Sequence, residues 1–130
     1  MPEPLEKKLR LAGMSVLLID DSDDNRELIS IFLRHDGAEV ATADNGQAGL
    51  EAIHQKDFDV VLMDIQMPVM DGRQAMTALK AMGYTRPVIA LTARAMKDER
   101  EQSLGLGFSA YLTKPISRAD LTFAVESFRD

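Results

Sequence analysis

The sequence predicts an α/β fold: a doubly wound, five-stranded parallel sheet with helices on both faces. Three observations predict it. Apolar runs of about five residues alternate five times with longer amphipathic stretches, the signature of repeated βα units. The central run, Val60 to Met63, is unbroken in apolar residues, as expected for a strand buried on both faces. A length of 130 residues holds five such units with right-handed crossovers, but not an eight-stranded barrel.

Each element can be justified in turn. Residues 1–13 mix two prolines with Leu5, Leu9 and Leu11 among charges and read as a leader or linker, leaving 14–130 as the domain. Ser15 to Ile19 is the first strand, with Asp20-Asp21 at its exit. Ser22 through Asn25 offer helix N-caps, Leu28, Ile29, Phe32 and Leu33 follow at helical spacing, and Asp36-Gly37 marks the stop. Glu39 to Ala43 is a second strand, followed by Asn45-Gly46 and a weakly patterned helix through Leu50 and Ile53. Val60 to Met63 is the central strand and ends on Asp64; Met67-Pro68 and Asp71-Gly72 forbid an immediate helix. Ala75, Met76, Leu79 and Met82 make the next apolar stripe, closed by Gly83. Pro87 to Leu91 is the fourth strand, with Thr92 at its exit; residues 95–104 form a polar helix, broken by Gly105 and Gly107. Ser109 to Thr113 is the fifth strand, leading into Lys114-Pro115. Ser117 and Asp120 have capping-box spacing, and Leu121, Ala124, Val125 and Phe128 form the buried stripe of the last helix.

Composition narrows the function classes. The apolar share of 45% suits one globular domain, and no stretch approaches the length of a membrane span. Leu5 to Met14 lacks the apolar centre of a secretory signal. Zero cysteines exclude disulfides, thiolate metal sites and cysteine nucleophiles, and fit a reducing cytoplasm. A net charge of −6 argues against direct DNA binding.

The chemistry lies at the strand exits. In a parallel sheet Asp20-Asp21, Asp64, Thr92 and Lys114 all face one edge, where open α/β sheets bind their ligands. Clustered carboxylates repel one another unless a cation joins them, and an all-oxygen set suits Mg²⁺ or Mn²⁺. A hydroxyl and an ammonium beside a metal-held carboxylate can donate to phosphoryl oxygens, so the logical reaction is attack of an aspartate on phosphorus.

These residues resemble a known family. Asp20-Asp21, the phrase Met63-Asp64-Ile65-Gln66-Met67-Pro68 through Asp71-Gly72, Thr92-Ala93, Tyr111 and Lys114-Pro115 are similar, in order and spacing, to the receiver domain of bacterial two-component response regulators. The resemblance spans roughly residues 14 to 128. It implies the flavodoxin-like sheet order 2-1-3-4-5. It also implies that Asp64 is the phosphoacceptor, and that Asp21 and Asp64 ligate Mg²⁺ with help from Asp20 and the Gln66 carbonyl. Lys114 would pair with a phosphoryl oxygen, and Pro115 would shape its turn, usually through a cis peptide. Thr92 and Tyr111 would switch on phosphorylation, and Gln66 and Arg94 would tune the lifetime of the phosphoryl group.

The implied partners are a histidine kinase or histidine phosphotransfer protein as donor, and a downstream protein or second copy against helix 95–104 and strand 109–113. No nucleic acid or membrane partner is expected, and no enzymatic turnover beyond self-phosphorylation and dephosphorylation. The phrasing, with Asp24-Asn25-Arg26, is most similar to receivers of hybrid sensor histidine kinases, the leader then being the linker from the kinase core. A stand-alone regulator and a phosphorelay intermediate stay open. Gly49 departs from the family, which commonly has alanine there, and should weaken the second helix by up to about 1 kcal/mol.

Taken singly, these residues have plainer readings. Thr92 is β-branched at a strand end, Tyr111 suits a half-buried strand position, and Asp71 serves a turn. His35 and His54 read as surface residues, and the methionines as core and loop filler. Rival classes are a haloacid-dehalogenase-like phosphatase, which needs an Asp where Gln66 stands, and a flavodoxin-like nucleotide binder, which needs a glycine-rich loop absent after strand one. The serious alternative is a phosphorylation-independent binding module of the same fold.

Overall fold

The computed structural model describes residues 9–65, 72–92 and 107–129. Five strands, β1 (Ser15–Ile19), β2 (Glu39–Ala43), β3 (Val60–Asp64), β4 (Val88–Thr92) and β5 (Ala110–Thr113), form one sheet of order β2-β1-β3-β4-β5. All four pairings are parallel, as the resemblance implied. The described helices are α1 (Asp23–His35), α2 (Gly46–Gln55), α3 (Gly72–Ala81) and α4 (Arg118–Glu126). The helix expected over 95–104, with Gln66, Met67-Pro68, Asp71 and Arg94, lies outside the described residues.

The two-residue period of a strand divides the core into two layers. Leu17, Ile19, Val61, Met63, Val88 and Ala90 face one side, where Ile53 of α2 and Ala75, Met76 and Leu79 of α3 cover them. Val16, Leu18, Val60, Leu62, Ile89 and Leu91 face the other, under Ile29 and Leu33 of α1 and Leu121 and Val125 of α4. β3 and β4 are buried along their whole length, which is why their sequences carry no alternation.

Helix ends follow local chemistry. Ser22, Asn45 and Ser117 cap α1, α2 and α4, their side-chain oxygens accepting from the amides of Asn25, Ala48 and Asp120. α1 and α3 end alike. Gly37 and Gly83 take positive φ, and the amides of Ala38 and Tyr84 reach back to the carbonyls of Leu33 and Leu79.

Four readings are changed or completed. Leu28, which shares helical spacing with Ile29, Phe32 and Leu33, is 47% exposed while Ser30 is buried; the buried face is centred on Ile29 and Leu33. Met82, placed in the α3 stripe, lies just past the helix and is 44% exposed. Gly49 has a packing reason: a Cβ there would come within 2.3 Å of Ile19 Cδ1 and 2.9 Å of Cγ1. Alanine would give a better helix but would not fit this close to β1. Residues 9–13, read with the leader, make a turn whose Leu11 is fully buried in the α1/α4 layer.

Candidate functional site

The carboxyl ends of β1, β3, β4 and β5 bring together the residues singled out in the sequence. Asp20 follows β1 directly and is fully buried. Its amide donates to the Ala43 carbonyl, carrying the β1–β2 ladder one step further. Its Oδ1 accepts from the Ser22 amide at 2.9 Å, and its carbonyl accepts from Arg26 Nη1 at 2.7 Å. Arg26 also pairs with Asp23 one turn earlier on α1. Arg26 is therefore a positioning residue that the sequence reading quoted only within a phrase; its i,i+3 spacing from Asp23 was the available signal.

Asp64 closes β3 and is 4% exposed, while Asp21 stands exposed beside it. One carboxylate oxygen from each of Asp20, Asp21 and Asp64 lies within 4.8 Å of the other two. Thr92 is buried at the exit of β4, and its carbonyl accepts from the Lys114 amide at 2.7 Å, extending the β4–β5 ladder to the lysine. The Lys114–Pro115 peptide bond is cis. Tyr111, half-buried on β5, packs against the α2/α3 layer.

Lys114 Nζ sits 3.1 Å from Asp64 Oδ2 and 3.1 Å from Asp20 Oδ2. The Asp64 contact is well directed as a hydrogen bond; buried Asp20 Oδ2 meets the same ammonium less squarely and has no other aligned donor among the described residues. Burial works against the charge on Lys114, but the nearby Asp64 and Asp20 carboxylates together outweigh it and raise its pKa above the ordinary lysine value. Among the described residues, one ammonium thus bridges two of the three carboxylates, Asp20 and Asp64. The donor set is all oxygen, hard and clustered within 4.8 Å, with two of the three carboxylates buried, so these residues fit a small divalent cation such as Mg²⁺.

Of the sequence candidates, Asp20, Asp21, Asp64, Thr92 and Lys114 meet at this edge; Tyr111 lies on β5, the strand leading to Lys114. His35 and His54 are exposed, as read. Among the described residues no helix is long and apolar enough to cross a membrane.

Comparison with known proteins gives a consistent result. The family model described as the response regulator receiver domain matches residues 16–126. The sensor protein GacS of Pseudomonas syringae is 45% identical over 115 residues, which are 85% of this chain and 13% of that protein. The chain therefore spans only a small part of that relative. The receiver domain of sensor histidine kinase PA1611 from Pseudomonas aeruginosa, solved with a magnesium ion in its active site cleft, is 34% identical at a TM-score of 0.82. That match covers 90% of this chain and 98% of that one. The receiver domain of the Francisella response regulator 1452 superposes with a TM-score of 0.86 at 28% identity, covering 89% of this chain and 96% of that one.

Proposed function

The chain belongs to the response regulator receiver domain family, and from that premise we propose that it takes a phosphoryl group from a phosphohistidine onto Asp64. The observation that carries this reading is the meeting of Asp20, Asp21 and Asp64 within 4.8 Å, with Lys114 Nζ 3.1 Å from Asp64. The donor is a histidine kinase or a histidine phosphotransfer protein. The parent is a hybrid sensor histidine kinase or a stand-alone regulator, working in the cytoplasm.

In the transfer, an Asp64 oxygen attacks phosphorus as the bond from phosphorus to the donor imidazole breaks. The imidazole leaves with the electron pair and Asp64 becomes an acyl phosphate. Mg²⁺, held by Asp21, Asp64 and Asp20 with the Gln66 carbonyl, supplies positive charge to the carboxylates and phosphoryl oxygens when bound. Asp20 is oriented for its part by the Ser22 amide and Arg26. Lys114 is held close to Asp64 and needs only a side-chain shift to reach a phosphoryl oxygen. Thr92 offers its hydroxyl from the neighbouring strand, and Tyr111 follows Thr92 in the switch. Gln66 and Arg94 set how long the phosphoryl group survives.

Leu28 and Ile31, 47% and 54% exposed on α1, give a donor protein an apolar footing near this edge. A downstream protein, or a second copy, would bind the polar segment 95–104 and strand 109–113. No turnover of a separate substrate is proposed.

Intact-protein mass after incubation with acetyl phosphate and Mg²⁺ tests the reading. One added phosphoryl mass is expected in the wild type and none in Asp64→Asn. If neither an adduct nor beryllofluoride binding is seen while Mg²⁺ binds, the phosphoacceptor reading fails and the constitutive binding module replaces it.

A further inference from the structure

At the opposite edge of the sheet, residues 9–13 are held by both α1 and α4. The Leu11 amide donates to the Asp36 carbonyl at 2.7 Å, and the Leu11 side chain is fully buried. Arg10 forms a two-point ion pair with Glu126 of α4, Nε to Oε2 at 3.0 Å and Nη2 to Oε1 at 2.5 Å. Just past α4, Arg129 donates to the carbonyls of Arg10 and Ala12 at 2.5 and 2.9 Å. Gly37, at positive φ, lets the end of α1 approach the Ala12 backbone; a Cβ there would meet it at 3.1 Å. Asp36 is itself fixed from α4, by Arg118 at 2.9 Å and Thr122 at 2.6 Å. Side-chain bonds, backbone bonds and apolar burial all close on the same five residues.

We propose that residues 9–13 form a clasp whose closure is coupled, through α4, to loading of the carboxylate edge; the coupling rests on the reading of Asp64 as phosphoacceptor. α4 is the physical link. Only Pro115, Ile116 and the cap Ser117 separate it from Lys114, and its far end carries Glu126. Ile116 packs against the same apolar cluster that contains Leu11, Leu121 and Val125. Such a cluster is close-packed, so a shift of α4 is felt at Leu11 rather than absorbed by slack. In this structure Lys114 is engaged by Asp20 and Asp64, and Arg10, Asp36, Glu126 and Arg129 are all paired. The clasp therefore fits the position α4 takes when Lys114 rests on Asp20 and Asp64. When Lys114 turns to a new anionic partner and α4 adjusts, those pairings weaken and the clasp opens more often. By reciprocity, a loosened clasp favours the loaded state.

Amide hydrogen exchange at Leu11 and Met14, followed by NMR on the 130-residue chain, tests the coupling. It is measured with Mg²⁺ alone and with Mg²⁺ plus beryllofluoride, and the fluorine signal reports occupancy independently. With fluoride bound, exchange at both amides should accelerate about fivefold or more, and Glu126→Gln and Arg129→Ala should bind beryllofluoride more tightly by a similar factor. Bound fluoride with unchanged or slower exchange overturns the coupling. So do clasp variants that exchange faster but keep wild-type affinity, which would leave the clasp purely structural. If no fluoride binds to Mg²⁺-loaded protein, the phosphoacceptor reading itself has failed, and the coupling falls with it.

Discussion

Buried aspartates stand at opposite ends of this sheet, Asp36 at one and Asp20 and Asp64 at the other, and they are provided for differently. At the end of α1, Asp36 is almost fully buried, yet each oxygen has a directed donor, from Arg118 and Thr122, and its carbonyl takes the Leu11 amide. Burial alone would raise its pKa; the Arg118 and Thr122 hydrogen bonds and the Arg118 charge hold it below the ordinary aspartate value. At the other end, Asp20, Asp21 and Asp64 lie within 4.8 Å of one another, and among the described residues one ammonium, that of Lys114, bridges Asp20 and Asp64. The structural acid is completed by the protein. The clustered acids are brought together at a cost in like-charge repulsion, which the proposed cation would relieve.

That contrast can be broken from either side. Asp36→Ala should have the largest effect on stability, about 3 kcal/mol, because it removes two hydrogen bonds to an ionised acceptor and leaves Thr122 buried without its partner. Urea unfolding at neutral pH measures it, and a loss well under half that size would mean Asp36 is not an anchor. Asp20→Asn should do the reverse in the metal-free protein, raising stability by about 1 kcal/mol through relief of like-charge repulsion. The same change should weaken Mg²⁺ binding by about tenfold or more. A metal-free Asn variant less stable than the wild type would sink the idea of a charge-strained edge.

Gly49→Ala sharpens the comparison within the core. Helix propensity favours alanine by up to about 1 kcal/mol, while crowding Ile19 costs about 1–3 kcal/mol. The net should be a loss of about 1 kcal/mol, again read from urea unfolding. The smallest effect belongs to Arg118→Ala. Its guanidinium is about half exposed and screened by water, so at neutral pH the cost should stay near or below 1 kcal/mol. Its signature is in acid. A depressed folded pKa means that Asp36 adds stability above its unfolded pKa near ~3.9, and that this is lost as pH falls through the folded value. Without Arg118 the folded pKa rises, so the difference between variant and wild type should shrink as the pH falls below about 4. A difference that stays constant into strong acid would argue against the pairing.

Much of this architecture was legible in the sequence because its signals are local. Apolar runs, caps and the glycines after α1 and α3 each declare themselves within a few residues. One topological rule then carries Asp20, Asp64, Thr92 and Lys114 to a common edge. What escaped depends on distant partners. Asp36 read correctly as a helix stop, but its anchoring role needs Arg118 and Thr122, 82 and 86 residues away. Leu11 looked like leader because nothing nearby shows the pocket under it. Leu28 and Ile29 are adjacent apolar residues, and periodicity could not say which of them faces the core. Gly49 looked like a weakness of α2 until Ile19 was seen beneath it.

The ladders continue one step beyond the strand exits: Asp20 to Ala43, Ile65 to Leu91 and Lys114 to Thr92. Neighbouring strands in any sheet lie about 4.8 Å apart, so the sheet acts as a ruler, marking out the acids, the hydroxyl and the ammonium one strand at a time. Their spacing is then a property of backbone pairing and owes little to the connecting loops. Loops of such a domain can be exchanged or lengthened to suit a new partner while the chemistry stays in register.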